Sequence, residues 1–297
     1  MKHAFLVIAH NEPIILECLL RQLNHPDNTI FVHIDKKVKG DLESRMFAIV
    51  NNLGGVIVKK RIDVRWGDFS QICCELALYE EASRIGFDYY HLVSGCDLAL
   101  KPMHVIHRFF TCHAGKEFIK YDNDIRNRQD AYNKINYYYF FMRCCTKRTT
   151  GKSSWLLKTL KIPQISLKLQ NLFNISRCEK DDMIIYKGGN WCSLTHDAVI
   201  YILSQKDKIR KRFKWTRCAD EIYKHTILKA SLFANQIYQP LGNNQSSDLR
   251  MIDWKRGNPY IWTIYDKREL LGTDNLFARK FSSKDLEIVE SIMQCTQ

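Results

Sequence analysis

The first hundred residues alternate between strand-length apolar runs and helix-spaced apolar stripes, and that alternation restricts the fold more than any other feature. Ala4-Phe5-Leu6-Val7-Ile8-Ala9 is a continuous apolar run. Ile14, Ile15, Cys18, Leu19, Leu20 and Leu23 then recur at helical spacing. Thr29 to Ile34 is a second run, closed by Asp35. Residues 41–53 read as a helix, and Val56-Ile57-Val58 as a third strand. A long helix over 68–85 follows Trp66-Gly67, and Tyr89 to Ser94 gives another strand before Gly95-Cys96-Asp97. Strands that are apolar at every position are buried on both faces. Such strands, joined by helices, predict an α/β fold with a parallel sheet, its ligand at the carboxyl ends of the strands.

The second half is less regular. Residues 121–180 are rich in Tyr, Asn, Lys and Arg and read as an irregular insertion with helix over 153–173. Strand character returns at Ile184-Ile185-Tyr186, followed by a Gly188-Gly189 turn and Trp191 to Thr195. Helices are expected at 197–205 and 220–230, and a short one from Lys267 to Leu271. No repeat or linker divides the 297 residues, so one domain is expected. Its nucleotide-binding part would cover about 1–120, and its acceptor-side, catalytic part about 121–297.

The net charge of +13 favours anionic partners: nucleic acid, acidic lipid or phosphorylated small molecules. A basic nucleic-acid-binding protein is a rival reading. It lacks support from any spaced Cys/His zinc pattern or RRM-type signature. The run of Lys206, Lys208, Arg210, Lys211, Arg212 and Lys214 is a solvated face, or a surface that rests on anionic lipid. Eleven cysteines show no metal-binding spacing, and their number is odd. The N-terminal apolar run is shorter than a signal-peptide core, and no stretch approaches the roughly 18 apolar residues of a membrane span. A cytoplasmic protein with reduced, mostly buried cysteines is expected, possible membrane contact being peripheral and at the inner face.

Two segments carry the chemistry. Thr216-Arg217-Cys218-Ala219-Asp220-Glu221 holds an acidic pair, and Leu276-Phe277-Ala278-Arg279-Lys280-Phe281 sets two cations between apolar residues. Acids at a helix start serve the helix dipole, which is the ordinary role for Asp220 and Glu221. The chemical role is a general base that deprotonates an acceptor hydroxyl, with Glu221 as the candidate. Arg279 and Lys280 are an ordinary surface pair or a clamp on a leaving diphosphate. Asp35 ends a strand and can bond a uracil or ribose. His10 and Asn11 follow the first strand and can touch a nucleotide. Trp66 and Trp254 offer aromatic faces for a sugar or base. Asp97 stands alone where a two-acid metal motif would need a partner, so a metal-dependent transferase using Asp97 is the second enzymatic reading.

The ordered set of short motifs resembles the core-2/I-branching β-1,6-N-acetylglucosaminyltransferases and the peptide O-xylosyltransferases, in a form found in bacteria. The set comprises Ala9-His10-Asn11, Val32 to Lys37, Arg65-Trp66-Gly67 with Ser70, Leu92 to Asp97, Gly188-Gly189-Asn190-Trp191, Ala219-Asp220-Glu221, and Leu276 to Phe281. The likeness covers nearly the whole chain. It implies a GT-A type fold with a Rossmann-like nucleotide-binding mixed sheet flanked by helices. It also implies inverting, metal-independent transfer of GlcNAc or xylose from a UDP-sugar to a glycan or lipid-linked glycan, with no cofactor. By that resemblance Glu221 is the base, and Arg279 and Lys280 bind the diphosphate. Asp35 and Trp66 lie near the donor, with His10 and Asn11 beside them, and Trp254 and Trp191 lie on the acceptor side. The chain departs from the pattern at Tyr260, where some members place a cation, with Arg256 nearby. It also departs at Asn190, where xylosyltransferases carry an acid. The role expected from the likeness is surface polysaccharide synthesis.

Overall fold

The structure is a computed structural model that describes residues 1–142, 160–178, 184–242 and 244–296. Its centre is a five-stranded sheet in the order β3-β2-β1-β4-β6. β1 (His3–Ala9), β2 (Asn28–Ile34), β3 (Val56–Ile57) and β4 (Tyr89–Ser94) are mutually parallel. β6 (Cys192–Thr195) closes the sheet antiparallel to β4. The three-residue strands β5 (Asp97–Ala99), β7 (Arg250–Ile252) and β8 (Phe277–Arg279) form a second sheet in the order β5-β8-β7.

The apolar runs are buried on both sides, as their composition requires. Phe5, Val7 and Ala9 of β1 face one core, and Ala4, Leu6 and Ile8 face the other. The first core is covered by α1 (Pro13–Leu23), α2 (Gly40–Asn52), α4 (Met103–Cys112), the second sheet and the C-terminal helix α11 (Leu286–Thr296). The second core is covered by α3 (Ser70–Ser83), α5 (Ile125–Asn136), α7 (His196–Ser204), α8 (Lys206–Phe213) and α9 (Tyr223–Lys229). α6 (Ile162–Leu172) and the short α10 (Lys267–Gly272) complete the described helices.

Several expectations are corrected. Ile184 to Tyr186 are not a strand. The Tyr186 N–H donates to Thr226 Oγ1, and its carbonyl accepts from the same hydroxyl, so a side chain takes the place of a ladder. Within the described part of 121–180, Ile125–Asn136 form α5, which is anchored through Ala131 and Ile135. The helix expected over 153–173 is seen as α6; its first part, like Cys144 and Cys145, falls outside the described residues. The helix expected at 220–230 is split into a 3-10 turn at Ala219–Glu221 and α9. Of the described cysteines, Cys74, Cys96, Cys192 and Cys218 are buried thiols, and Cys112 and Cys295 are exposed. Among the described residues, no helix is long and apolar enough to cross a membrane.

Candidate active site

After β3 the chain returns to the other side of β1 to form β4. The switch point of the sheet therefore lies between the carboxyl ends of β1 and β4, the usual crevice for a ligand. β1 leads into His10, Asn11 and Glu12, β2 into Asp35, and β4 into Gly95-Cys96-Asp97. Gly95 is required there, because a Cβ would lie 2.9 Å from the Ala9 Cβ. Its N–H donates to the Ile8 carbonyl, and the Cys96 thiol reaches Asn11 Oδ1 at 3.3 Å. Asp35 is almost fully buried. Its carboxylate accepts from the Lys37 N–H at 2.8 Å and pairs with the Lys37 ammonium at 3.1 Å. Lys37 also pairs with Asp63, which Arg65 holds at 2.8 Å. The Asp35 end of the pocket is thus continuous with the loop that carries Trp66.

The two cations enter from the second sheet. Antiparallel pairing of β5 with β8 sets Asp97 opposite Arg279. Arg279 Nη1 donates to Asp97 Oδ1 at 2.8 Å, and the Ser94 N–H donates to Asp97 Oδ2 at 2.8 Å. Burial pushes the Asp97 pKa up, against the opposing pull of Arg279. Asp97 Oδ1 is taken up by Arg279 and Oδ2 by the Ser94 N–H, which is the physical objection to the reading of Asp97 as a metal ligand. The Arg279 guanidinium also lies 4.7 Å from the Trp191 ring centroid. Trp191 therefore backs the candidate diphosphate cation. Lys280 is half-buried next in sequence, close enough to Glu12 to act on its carboxylate. Glu12 accepts from the Ser282 hydroxyl at 2.9 Å and the Ser283 N–H at 2.8 Å, which ties the end of β1 to the segment after β8.

Glu221 stands on the other side. Cys218 has a left-handed backbone, with φ of 49°, and turns the chain into the 3-10 turn Ala219–Glu221. Neither that turn nor α9 has a side-chain cap hydrogen bond; Asp220 and Glu221 stand within the 3-10 turn itself. The Glu221 carboxylate is partly exposed and lies 3.7 Å from the Lys187 ammonium, which Asp130 holds at 3.1 Å. Burial opposes the Lys187 charge, but Glu221 and Asp130 outweigh it and raise its pKa. Beside it, burial and the nearby carboxylates of Glu221 and Glu75 push Asp220 up to about 7.

One turn joins the two sides. The Gly188 N–H donates to the Glu221 carbonyl at 3.0 Å. Only glycine fits at 188, since a Cβ would fall 1.7 Å from the Lys120 carbonyl oxygen and 2.6 Å from His225 Nε2. Three residues on, Trp191 meets Arg279. On the outer side the Cys218 N–H donates to the Gly67 carbonyl at 2.9 Å. Trp66 is 63% exposed, with the Arg217 guanidinium 5.7 Å from its ring centroid. The motif pattern Arg65-Trp66-Gly67 with Ser70 has a local cause: the Arg65 N–H donates to Ser70 Oγ at 2.9 Å.

A buried network behind the acids was not legible in the sequence. The Lys224 ammonium sits 2.5 Å from Glu75 Oε2 and 2.6 Å from Asn190 Oδ1, with both charged side chains fully buried. The Tyr223 hydroxyl donates to the same Glu75 oxygen at 2.7 Å. The network locks α3 and α9 to the Gly188–Trp191 turn. Lys187 and Asp130 were missed as well, since isolated polar residues in an aperiodic stretch give no pattern. Trp254 is exposed on the rim, two residues past Ile252, whose register partner is Arg279. Arg256 is committed elsewhere: it pairs with Asp253, with Asp266 at 2.6 Å and with Glu269 at 2.9 Å, and lies over the Tyr260 ring at 4.3 Å. His10 is exposed at the β1 end.

The chain is 21% identical to the Caenorhabditis briggsae xylosyltransferase sqv-6 over 93% of its own length and 34% of that protein. It is 20% identical to a human β-1,3-galactosyl-O-glycosyl-glycoprotein β-1,6-N-acetylglucosaminyltransferase over 98% of its own length and 68% of that protein. It thus spans about a third of the first relative and about two thirds of the second. Residues 3–270 match the profile of the Core-2/I-Branching enzyme family, and Arg279 and Lys280 lie just beyond that match. With most of its length inside the profile, the chain belongs to the Core-2/I-Branching enzyme family.

Proposed function

We propose that this chain is an inverting glycosyltransferase that moves GlcNAc or xylose from a UDP-sugar to a glycan hydroxyl without a metal. The observation that carries the reading is the single rigid turn Lys187–Trp191, which connects a half-exposed carboxylate to a preset guanidinium across the carboxyl ends of parallel strands. Glu221 takes the acceptor proton, the acceptor oxygen attacks the anomeric carbon, and the bond to the diphosphate breaks with inversion. The electron pair leaves with UDP, whose charge Arg279 and Lys280 offset. Asp35 bonds the uridine, His10 and Asn11 flank it, Trp66 covers the donor, and Trp254 with Trp191 borders the acceptor. The Lys187 ammonium orients Glu221 until the acceptor arrives.

Replacement of Glu221 by Gln keeps size and removes the base. UDP affinity should persist while transfer falls by about 10²–10⁴-fold. Undiminished turnover would remove Glu221 from the mechanism. We also propose a role in surface polysaccharide assembly, with a lipid-linked acceptor; the support is the exposed cations Lys208, Arg210, Lys211 and Lys214 on and just after α8. They would rest the enzyme on the inner, anionic face of a membrane. Vesicle pelleting that shows no dependence on anionic lipid would eliminate that contact.

A further inference from the structure

The opposite pole of the sheet carries a cluster of imidazoles that sugar transfer does not use. His25 and Asp27 lie in the turn between α1 and β2, and His107 projects from α4. One ligand-capable atom of each lies within 4.8 Å of the other two. His25 Nδ1 is 4.0 Å from an Asp27 carboxylate oxygen. The His25 and His107 rings are 4.3 Å apart, centroid to centroid.

One further observation points to a ligand. Asn28 Nδ2 donates to the Leu23 carbonyl at 2.9 Å, which turns Asn28 Oδ1 toward His107 Nε2 at 2.8 Å. His107 therefore carries its proton on Nε2 and a lone pair on Nδ1, the arrangement of a metal-binding histidine fixed by an outer acceptor. His3 is fully buried and packs its ring 4.3 Å from that of His107. Its Nδ1 meets His91 Nε2 at 2.8 Å, while its Nε2 is buried with no partner.

We propose that His25, Asp27 and His107 form a binding site for a borderline divalent cation of the zinc type, backed by His3. Two imidazoles and one carboxylate select such ions over magnesium or calcium, which require mainly oxygen ligands. Metal–ligand bonds of about 2.0–2.1 Å place donor atoms about 3.3 Å apart, so the cluster contracts by at most about 1.5 Å. Asp27 is exposed and His25 half-exposed, and rotation of those side chains supplies the movement. The long contact of 3.2 Å from the Asp27 N–H to His25 Nδ1 is displaced in the process. The bound ion clips the α1–β2 turn to α4, remote from the switch point.

The test is a titration of the intact, tag-free, EDTA-treated protein with Co²⁺, read by visible absorption. The expected result is one equivalent bound, with ligand-field bands and no thiolate charge-transfer band. Affinity should fall by about tenfold or more in His107→Gln and in Asp27→Asn. Asp27 is exposed, so Asp27→Asn tests the site without threatening the fold. Absence of cobalt uptake overturns the proposal. So does uptake with a thiolate band that both substitutions leave unchanged, since that marks capture by Cys112 or Cys295.

Discussion

Conversion of Lys224 to Met is the sharpest structural test of how this site is supported. The Lys224 side chain is fully buried, and its ammonium is shared between Glu75 at 2.5 Å and Asn190 at 2.6 Å. Methionine matches its length and keeps the apolar stem packed. The change leaves the Glu75 carboxylate buried with donors from Tyr223 at 2.7 Å and Gln71 at 3.3 Å but no counter-charge. Removal of one partner of a buried pair costs about 3–5 kcal/mol. The two remaining donors place the expected loss toward the lower end of that range. In a chain of this size that is a melting shift on the order of 10 °C. The double variant Glu75→Gln, Lys224→Met removes the stranded charge and should recover most of the loss, because a neutral buried amide can still accept from Tyr223. Urea denaturation of the wild type, both single variants and the double variant measures the coupling. Additive effects, with the double variant worse than either single one, would refute a mutually dependent buried pair.

The remaining predictions concern the site itself. Gly188→Ala should prevent correct folding of the Lys187–Trp191 turn, since the nearest obstacle is a backbone carbonyl at 1.7 Å; a variant with unchanged melting and activity would contradict the geometry. Arg256→Ala should leave UDP affinity within about twofold of the wild type, because its guanidinium is held by Asp253, Asp266 and Glu269; a large loss of UDP binding would show that it contacts the diphosphate. Lys280→Ala should weaken UDP binding more than acceptor binding, which separate titrations would resolve. The raised Asp220 pKa predicts a pH dependence of stability. The folded form holds this proton more tightly than the unfolded chain, so the contribution is full below about pH 4 and is lost as pH rises through about 7. Asp220→Asn should flatten the stability profile in that window, and an unchanged slope would exclude Asp220 as its source.

The parallel half of the fold was legible because β1, β2 and β4 carry apolar residues on both faces, and the helices between them carry clear stripes. The second sheet was not, because three-residue strands such as Phe277–Arg279 are too short to show a period. Their pairing is set by tertiary register, which is what brings Arg279 onto Asp97. Glu221, Arg279 and Trp66 could be named from short motifs, yet the motifs do not show what orients them. Gly188 illustrates the gap: a Gly-Gly pair reads as a turn, whereas the physical need is the close approach of Lys120 and His225. Lys187, Asp130, Glu75 and Lys224 lie in four separate segments. Their relation exists only after the chain has folded.

The proposed cationic diphosphate clamp works beside a carboxylate base that Lys187 orients. Its most direct test is calorimetric titration of UDP into the purified protein, with and without EDTA, alongside Lys280→Ala. The expected result is saturable binding that EDTA leaves unchanged and that Lys280→Ala weakens strongly. EDTA also strips any ion from the His25–Asp27–His107 pole, which should not alter UDP affinity because that pole lies at the far end of the sheet. Binding that vanishes with EDTA, or that is indifferent to Lys280, would contradict the clamp.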